Sequence, residues 1–291
     1  MKPLLPPQLL ALSPGGLTLG EGYVARVADL LQRVRAARRA GLRGVLLREA
    51  QLPDGPYAEL AASLKAILEE GWLGLHDRPH LVEPVGAQAV HLGFRSLSAR
   101  QARECVGPDV AIGVSTHSSD GPESWEGADY LFHGPVFPPL SKTGNLPAVG
   151  VVGLRAFVER ARLPVWGLGG ITPEQAASVL QAGARGVACL GGLLSPADPS
   201  AACARFGEVL ARRLPLVSCL SCAVPRCSWP LRAGSTCSCV LTVGNCRLTR
   251  NRPCCVSTRA ITWSWTVTLA GWACRTPFSS QVRMVACTWP R

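Results

Sequence analysis

Apolar and polar positions follow a repeating two-part pattern over the first 213 residues. Runs of four to seven apolar residues are followed by a polar or glycine-containing break, and then by about a dozen residues with apolar positions at helical spacing. Eight such units follow one another, and their apolar runs lie at 9–13, 44–49, 73–77, 89–93, 111–116, 130–136, 164–170 and 186–192. The pattern predicts parallel strands joined by helical crossovers.

Eight units in about 205 residues fit an open doubly wound sheet or a closed (β/α)8 TIM barrel, and the count favours the barrel. In a barrel the chemistry lies at the carboxyl ends of the strands. The polar residues at the predicted strand ends are Arg48, Glu49, His76, Asp77, His91, Ser115, Thr116, His117 and His133. We therefore expect four of the five histidines at one mouth, with His80 just beyond it.

The segment from residue 130 to 144, YLFHGPVFPPLSKTG, predicts a strand that runs into a long polar loop. Side chains alternate between the two faces of a strand, so His133 and Pro135 share a face. We expect His133 to act as a general acid or base, because histidine titrates near neutral pH. A buried structural role is the alternative. Ser141 and Lys142 follow in the loop and are expected to close over an anion.

Two double glycines follow the last two predicted strands, Gly169 with Gly170 and Gly191 with Gly192. Glycines let backbone N–H groups approach an anion closely, and the loops after strands seven and eight of such barrels often bind phosphate. A pair of tight turns is the alternative. After the first double glycine a helix is predicted to begin, with Thr172 as its N-cap.

Other polar groups have both a functional and a structural interpretation. Asp77 ligates a metal, orients an imidazole or caps the next helix, and Arg48 either binds a substrate anion or joins Glu49 in pairing inside the barrel. His117 is a second acid/base candidate or a helix cap, whereas His91 is expected to pack in its strand. No metal site is predicted, because the histidines lack H-x-x-x-H spacing and an accompanying acid cluster.

The net charge of +11 is unevenly distributed along the chain. Residues 1–214 hold 21 of the 30 Lys and Arg and all 19 acids, which leaves an ordinary near-neutral domain. Residues 215–291 hold nine Arg and ten of the 13 Cys without any acid. This tail is typical of a GC-rich gene read out of frame, and we expect it to be disordered and without function. A cysteine module around CLSC (219–222) and a basic arm are the alternatives.

The remaining composition indicates a cytoplasmic protein. The three cysteines of residues 1–214 lie among apolar neighbours, as in a reducing compartment, and the N-terminus lacks a signal-peptide cleavage site. The longest uncharged run of the tail, residues 260–274, is shorter than the roughly 18–20 apolar residues of a membrane span. We expect neither a membrane nor a nucleic-acid partner.

Several motifs resemble the thiamine phosphate synthase and TenI superfamily over residues 9–213. They are GVLLREA, HDRPHLVEPVGAQAVHLGFRSLSARQAR, IGVSTHS, GPVFPPLSKTG and WGLGGITPEQAASVLQAGARGVACLGG. The resemblance implies a TIM barrel that binds a thiazole phosphate and that self-associates in some members. The substrate contacts are expected from Arg48, Asp77, Ser115, Ser141 and Lys142.

The superfamily contains synthases, which join a pyrimidine diphosphate to thiazole phosphate with Mg²⁺, and TenI proteins, which aromatise the thiazole carboxylate phosphate tautomer. The synthase pattern Q-x-R-E-K stands here as LLREA (46–50) and its G-Q-E-D-L as GFRSL (93–97), so a glutamine, a lysine and one Mg²⁺-binding aspartate are absent. HLGFRSLS resembles the TenI version. We expect a thiazole tautomerase that needs no metal, with a Mg²⁺-dependent synthase and a non-catalytic phosphate-ligand-binding barrel as alternatives.

The acid/base histidine of TenI proteins lies in a G-H-V-F segment, which stands here as GPVF (134–137). Because His133 lies two residues before the expected position and on the same predicted face as Pro135, we expect it to take over the role.

Overall fold

A computed structural model describes residues 3–138 and 147–211. Eight parallel strands form a closed barrel in sequence order, β1 pairing with both β2 and β8. The strands are β1 (Leu9–Leu12), β2 (Gly44–Leu47), β3 (Trp72–His76), β4 (Ala89–Leu92), β5 (Ala111–Thr116), β6 (Tyr130–His133), β7 (Val165–Leu168) and β8 (Gly186–Cys189). The predicted TIM barrel is confirmed.

Helices follow most strands and cover the outside of the barrel. They are α1 (Tyr23–Arg39), α2 (Asp54–Leu68), α3 (Val82–Val85), α4 (Ala99–Val106), α5 (Gly150–Ala161), α6 (Pro173–Gln181) and α7 (Pro199–Ala211). Short 3-10 turns at Pro79–Leu81 and Pro122–Trp125 complete the crossovers.

Two crossovers are shorter than the pattern predicts. Between β3 and β4 the helical part is one 3-10 turn and the four residues of α3, and between β5 and β6 it is the 3-10 turn alone. The second segment, SSDGPESWEG (118–127), is rich in Ser, Gly and Pro, which disfavour a longer helix. The chain therefore reaches β6 with little helical cover on this side.

Alternation along the strands divides the buried side chains into two layers. One apolar cluster fills the barrel interior, and a larger one lies between strands and helices. In β6, Tyr130 and Phe132 belong to the interior cluster, whereas Leu131 belongs to the outer one. Because neighbouring residues point to opposite faces, His133 lies on the helix-facing side together with Leu131.

The amino-terminal segment lies across the end of the barrel opposite the carboxyl ends of the strands. The indole Nε1–H of Trp72 donates to Leu4 O at 2.9 Å, and that of Trp166 donates to Pro7 O at 2.8 Å. Both tryptophans are buried in the barrel interior. The amino-terminal segment thus covers this end of the barrel and leaves the carboxyl ends of the strands uncovered by it.

The predictions for residues 215–291 lie outside the described residues and remain predictions. Among the helices of residues 3–138 and 147–211, none is long and apolar enough to cross a membrane.

Candidate active site

The carboxyl ends of β2 to β5 bring several predicted residues together at one mouth. Arg48 follows β2, His76 ends β3, and Ser115 lies near the end of β5. Leu46, Trp72 and Ala111 point into the barrel, so the side chains two or four residues later on the same strands point into the barrel or its mouth. Arg48, His76 and Ser115 are half-buried, which leaves them accessible to a ligand.

His76, Asp77 and Ser96 form a hydrogen-bonded group that we call the Asp77 cluster. His76 Nδ1 lies 3.1 Å from Asp77 Oδ2, and Ser96 Oγ donates to Asp77 Oδ1. The Ser96 hydroxyl in turn accepts the Gly93 N–H at 2.6 Å. Asp77 itself lies in the left-handed region, at φ 54°. The cluster thus ties the end of β3 to the loop after β4.

The carboxyl group of Asp77 stays ionised in this cluster. Partial burial alone would raise the pKa of Asp77, but the hydrogen bonds from His76 and Ser96 and the His76 charge outweigh it and lower the pKa to about 2. Asp77 therefore orients an imidazole, as one of its interpretations required. It does not cap the next helix, because that 3-10 turn begins after Arg78 and has no side-chain cap.

Arg48 and Glu49 take different roles on opposite sides of the strand end. Glu49 is 1 % exposed, and its carboxylate accepts the backbone N–H groups of Gly15 and Leu17, both at 2.8 Å. The guanidinium of Arg48 lies over Gly15, where a Cβ atom would come within 2.7 Å of Nη1. Glu49 thus fixes the loop after β1, and Arg48 remains as a cation at the mouth.

Tyr57 of α2 holds the ends of β2 and β3 and was not predicted as a site residue. Its buried hydroxyl donates to Leu47 O at 2.7 Å and accepts the His76 N–H at 3.1 Å. Burial raises the pKa of Tyr57, so the hydroxyl keeps its proton. The hydroxyl bridges the two strands directly behind Arg48 and His76, so it positions both.

His91 lies inside the barrel beneath the mouth, where packing was expected. It is 1 % exposed, and its ring stacks on Phe132 with the centroids 4.0 Å apart. Its Nε2 is 2.9 Å from Ser115 Oγ, and its Nδ1 is 3.3 Å from Tyr130 OH. His91 is therefore a polar element of the site floor.

His133 is not at the mouth, and the geometric expectation for it is wrong. It is 2 % exposed, and its ring stacks on Phe157 of α5 with centroids 3.7 Å apart and an interplanar angle of 7°. Its Nδ1 lies 3.0 Å from Thr116 Oγ1, whose hydroxyl donates to Phe132 O at 3.0 Å. Because side chains alternate along β6, His133 points toward the helices, and the buried structural interpretation describes its environment.

The other predicted groups have separate positions. His117 lies half-buried at the rim, where its backbone N–H donates to Asp120 Oδ2 at 2.7 Å and its ring meets Phe94 edge-on with centroids 6.1 Å apart. It does not cap a helix, because the following 3-10 turn is capped by Gly121. Ser141 and Lys142 lie outside the described residues, and their roles remain predictions.

The two double-glycine turns adjoin at the far side of the mouth. Gly169 and Gly170 have φ of 95° and 62°, and Gly192 packs against Ile171, where a Cβ atom would lie 2.6 Å from the carbonyl oxygen. Gly170 also faces the backbone of residues 137 and 138. Close packing of three loops therefore requires glycine at Gly169, Gly170 and Gly192, in agreement with the tight-turn alternative.

These turns also present backbone donors. Within the described residues, no backbone N–H of Gly169, Gly170, Gly191 or Gly192 donates to another residue. The following helix α6 begins with the predicted N-cap Thr172, which forms a capping box with Gln175. The turns can thus offer N–H groups to a phosphate next to a helix N-terminus.

The oxygen atoms of the Asp77 cluster fit as ligands of a Mg²⁺ ion that is bound mainly through the phosphate groups of the enzyme's substrate. Mg²⁺ commonly uses one or two carboxylates together with substrate phosphates and water. Asp77 supplies one ionised carboxylate and Ser96 one neutral oxygen. In residues 3–138 and 147–211, no group of three or more His, Cys, Asp and Glu side chains is arranged to hold a metal without further ligands.

Comparison with known proteins identifies the family. A family model described as thiamine monophosphate synthase matches residues 21–193. The chain belongs to the thiamine monophosphate synthase family. It is therefore a thiamine-biosynthesis enzyme of this family, whose members bind the phosphorylated substrates of that pathway.

Relatives in this family carry the synthase name. The thiamine-phosphate synthase of Moorella thermoacetica is 35% identical over 186 residues, which cover 62% of this chain and 89% of the relative. A putative thiamine-phosphate synthase of Geobacter sulfurreducens is 37% identical over 175 residues, or 59% and 82% of the two chains. The thiamine phosphate pyrophosphorylase structure from Pyrococcus furiosus has a TM-score of 0.60 at 25% identity and covers 70% and 95%. None of these names indicates the TenI subgroup.

Proposed function

We propose that this protein forms thiamine phosphate by joining a pyrimidine diphosphate to thiazole phosphate. The observation that carries the proposal is the 35% identity that extends over 89% of the Moorella thermoacetica thiamine-phosphate synthase. The site supports it, because Arg48 and the ionised Asp77 stand at one mouth together with the two double-glycine turns.

The reaction is a substitution at carbon. A bond forms between a thiazole nitrogen and the exocyclic carbon of the pyrimidine, and the bond from that carbon to the diphosphate oxygen breaks. No proton has to move for diphosphate to leave, so positioning and charge are the main requirements.

The side chains of this chain divide these tasks. Arg48 pairs with anionic oxygens of the diphosphate, since a guanidinium offers several donors in a fixed plane. The glycine turns after β7 and β8 bind the phosphate of the thiazole through backbone N–H groups. Ser115 donates to the substrate from the floor, and Lys142 with Ser141 is proposed to close over the phosphate.

A divalent cation would be held by Asp77, with Ser96 as a neutral neighbour. When bound, Mg²⁺ neutralises charge on the leaving diphosphate. His76 keeps Asp77 oriented through its hydrogen bond, and Tyr57 holds His76 from behind.

Thiazole tautomerisation is the second candidate function. A specific observation favours it: His76 is hydrogen-bonded to Asp77 at the mouth, and an oriented imidazole can take up and deliver a proton. In addition, Ser96 stands where synthases carry a second Mg²⁺-binding aspartate. In this version His76, rather than His133, moves the proton from C2 of the dihydrothiazole to the exocyclic carbon.

One pair of assays separates the two functions. The full chain is incubated with the pyrimidine diphosphate, thiazole phosphate and Mg²⁺, and thiamine phosphate and diphosphate are measured together. Equimolar products that disappear with EDTA are expected, and Asp77→Asn should lower their rate. In the second assay the thiazole carboxylate phosphate tautomer is supplied alone, and loss of the C2 hydrogen is followed.

The outcomes differ in kind. Absence of thiamine phosphate with a folded protein would overturn the synthase, whereas metal-independent loss of the C2 hydrogen would establish the tautomerase. Failure of both reactions, with tight thiazole phosphate binding, would favour a non-catalytic binding barrel.

A further inference from the structure

A chain of three hydrogen-bonded side chains runs through the barrel interior beneath the mouth. The Tyr130 hydroxyl is 3.3 Å from His91 Nδ1, and His91 Nε2 is 2.9 Å from Ser115 Oγ. Tyr130 and His91 are 0 % and 1 % exposed, whereas Ser115 is half-buried at the end of β5. Of the three, Ser115 is therefore the residue that a ligand can reach.

The hydrogen-bond partners of Tyr130, His91 and Ser115 determine where each of their protons lies. Among the described residues, the only hydrogen-bond partner of the Tyr130 hydroxyl is His91 Nδ1. A buried hydroxyl that does not donate its proton is costly, so Tyr130 donates and Nδ1 accepts. The neutral imidazole then carries its proton on Nε2 and donates it to Ser115 Oγ. The hydrogen of the Ser115 hydroxyl remains free to point into the mouth.

The surroundings keep His91 neutral and Tyr130 protonated. His91 is 1 % exposed in the apolar interior, and this burial disfavours the charged imidazolium and lowers the pKa of His91. Burial likewise raises the pKa of Tyr130. A charged His91 would also leave Tyr130 without an acceptor, because both ring nitrogens would then donate.

We propose that Tyr130 is a positioning residue that fixes His91 as the Nε2–H tautomer and thereby makes Ser115 a donor to an anionic oxygen of the diphosphate. This inference rests on the proposed function only for the identity of the ligand. With the opposite tautomer, Ser115 would donate downward to Nε2 and present only lone pairs to the mouth, which an anion repels. The hydroxyl of Tyr130 thus determines whether Ser115 donates or accepts a hydrogen bond at the mouth, although Tyr130 is connected to Ser115 only through His91.

The tautomer is measured directly in the full chain labelled with ¹⁵N-histidine. His91 is assigned by loss of its signals in His91→Gln, and the wild type is expected to show a protonated Nε2 and an unprotonated Nδ1. Tyr130→Phe keeps the ring packing and removes the hydroxyl, so the tautomer should become mixed or reversed. Tyr23→Phe, on the outer helix α1, is the matched control and should leave the tautomer unchanged.

Inorganic diphosphate is the probe for the consequence at the mouth, with binding measured by calorimetry. Ser115→Ala should retain the wild-type His91 tautomer and weaken diphosphate binding by about tenfold. Tyr130→Phe should weaken it by a similar factor, and the double variant by no more than either alone. Tyr23→Phe should bind as the wild type does.

A wild-type His91 that is charged or protonated on Nδ1 would overturn the proposal, even if Tyr130→Phe failed to fold. An unchanged tautomer in folded Tyr130→Phe, or additive losses in the double variant, would remove the role of Tyr130. The tautomer measurement needs no turnover, so a failure of the synthase assay would leave it unaffected.

Discussion

Replacing His133 tests the corrected position of this residue through the pH dependence of stability. Burial lowers the pKa of His133 to about 4, and the positive charges of His117 and Arg160 act in the same direction, against Asp120. The ordinary value is about 6.5. Between pH 6.5 and 4 the unfolded chain therefore binds a proton at this residue that the folded chain does not.

The sign and size of the effect follow from this difference. Stability falls where the unfolded state binds more protons, so the folded state loses stability as the pH falls from about 6.5 to about 4. At about 1.4 kcal/mol for each pKa unit, the loss is about 3 kcal/mol at most. His133→Gln removes the titrating group. The amount by which the variant is less stable than the wild type at pH 7 should therefore be smaller at pH 4, and the difference should decrease by this amount.

Urea unfolding from pH 7 to pH 4 measures the difference in the free energy of unfolding between wild type and His133→Gln. The carboxylates titrate alike in both proteins, so their contributions cancel in this difference. Thr116→Val is a control that keeps the histidine but removes its hydrogen-bond partner, so it should be less stable with nearly the wild-type slope. Parallel curves for wild type and His133→Gln would refute the buried, neutral state.

At pH 7.5 the folded Gln variant should retain more than about half of the wild-type kcat/KM, and loss of turnover would restore a catalytic role.

Four further changes test other parts of the site and chain. Tyr57→Phe should lower the free energy of unfolding by about 2 kcal/mol and kcat/KM by about tenfold, because two backbone groups lose their partner; wild-type values would contradict the bridge. Arg48→Ala should raise the KM of the diphosphate substrate by about tenfold or more, and unchanged affinity would exclude the anion role. Asp77→Asn should raise the Mg²⁺ concentration needed for half-maximal rate; an unchanged titration would remove Asp77 from the metal site. Truncation after residue 214 should leave activity intact, and loss of folding would contradict an out-of-frame tail.

The sequence pattern located all eight strands but not the direction of every side chain. In β2, an inward Leu46 is followed by Arg48, so the polar end residue continues the inward face. In β6, all four residues are buried, with Tyr130 and Phe132 inside and Leu131 and His133 outside. When both faces of a strand are apolar, its sequence does not show which residues point into the barrel. The error at His133 has this cause.

Hydrogen bonds between distant elements were the second kind of feature that the sequence could not supply. Tyr57 lies among the buried residues Leu60, Ala61 and Leu64 of α2, and its pattern indicates only an inward helix face. Its hydroxyl bridges two strands because the ends of β2 and β3 meet beside it in the fold. By contrast, the N-cap at Thr172 was predictable, because a capping box depends on residues three positions apart.

The positions at which this chain departs from the synthase pattern differ in what they do to the site. Leu46 is 1 % exposed inside the apolar barrel cluster, so the loss of glutamine there changes the floor rather than the charge of the mouth. Ser96 is different, because its hydroxyl donates to Asp77 where a second carboxylate would repel it. His76 adds a further partner to the same carboxylate.

Against the opposing effect of burial, these two partners lower the pKa of Asp77 to about 2. A pair of carboxylates needs a divalent cation to relieve its mutual repulsion, whereas a single carboxylate that is already hydrogen-bonded gains less from one. The Asp77 cluster should consequently bind Mg²⁺ weakly in the absence of substrate and depend on diphosphate to supply the missing negative charge. Metal binding and diphosphate binding are thus expected to be strongly coupled in this protein, each raising the affinity for the other by the same factor.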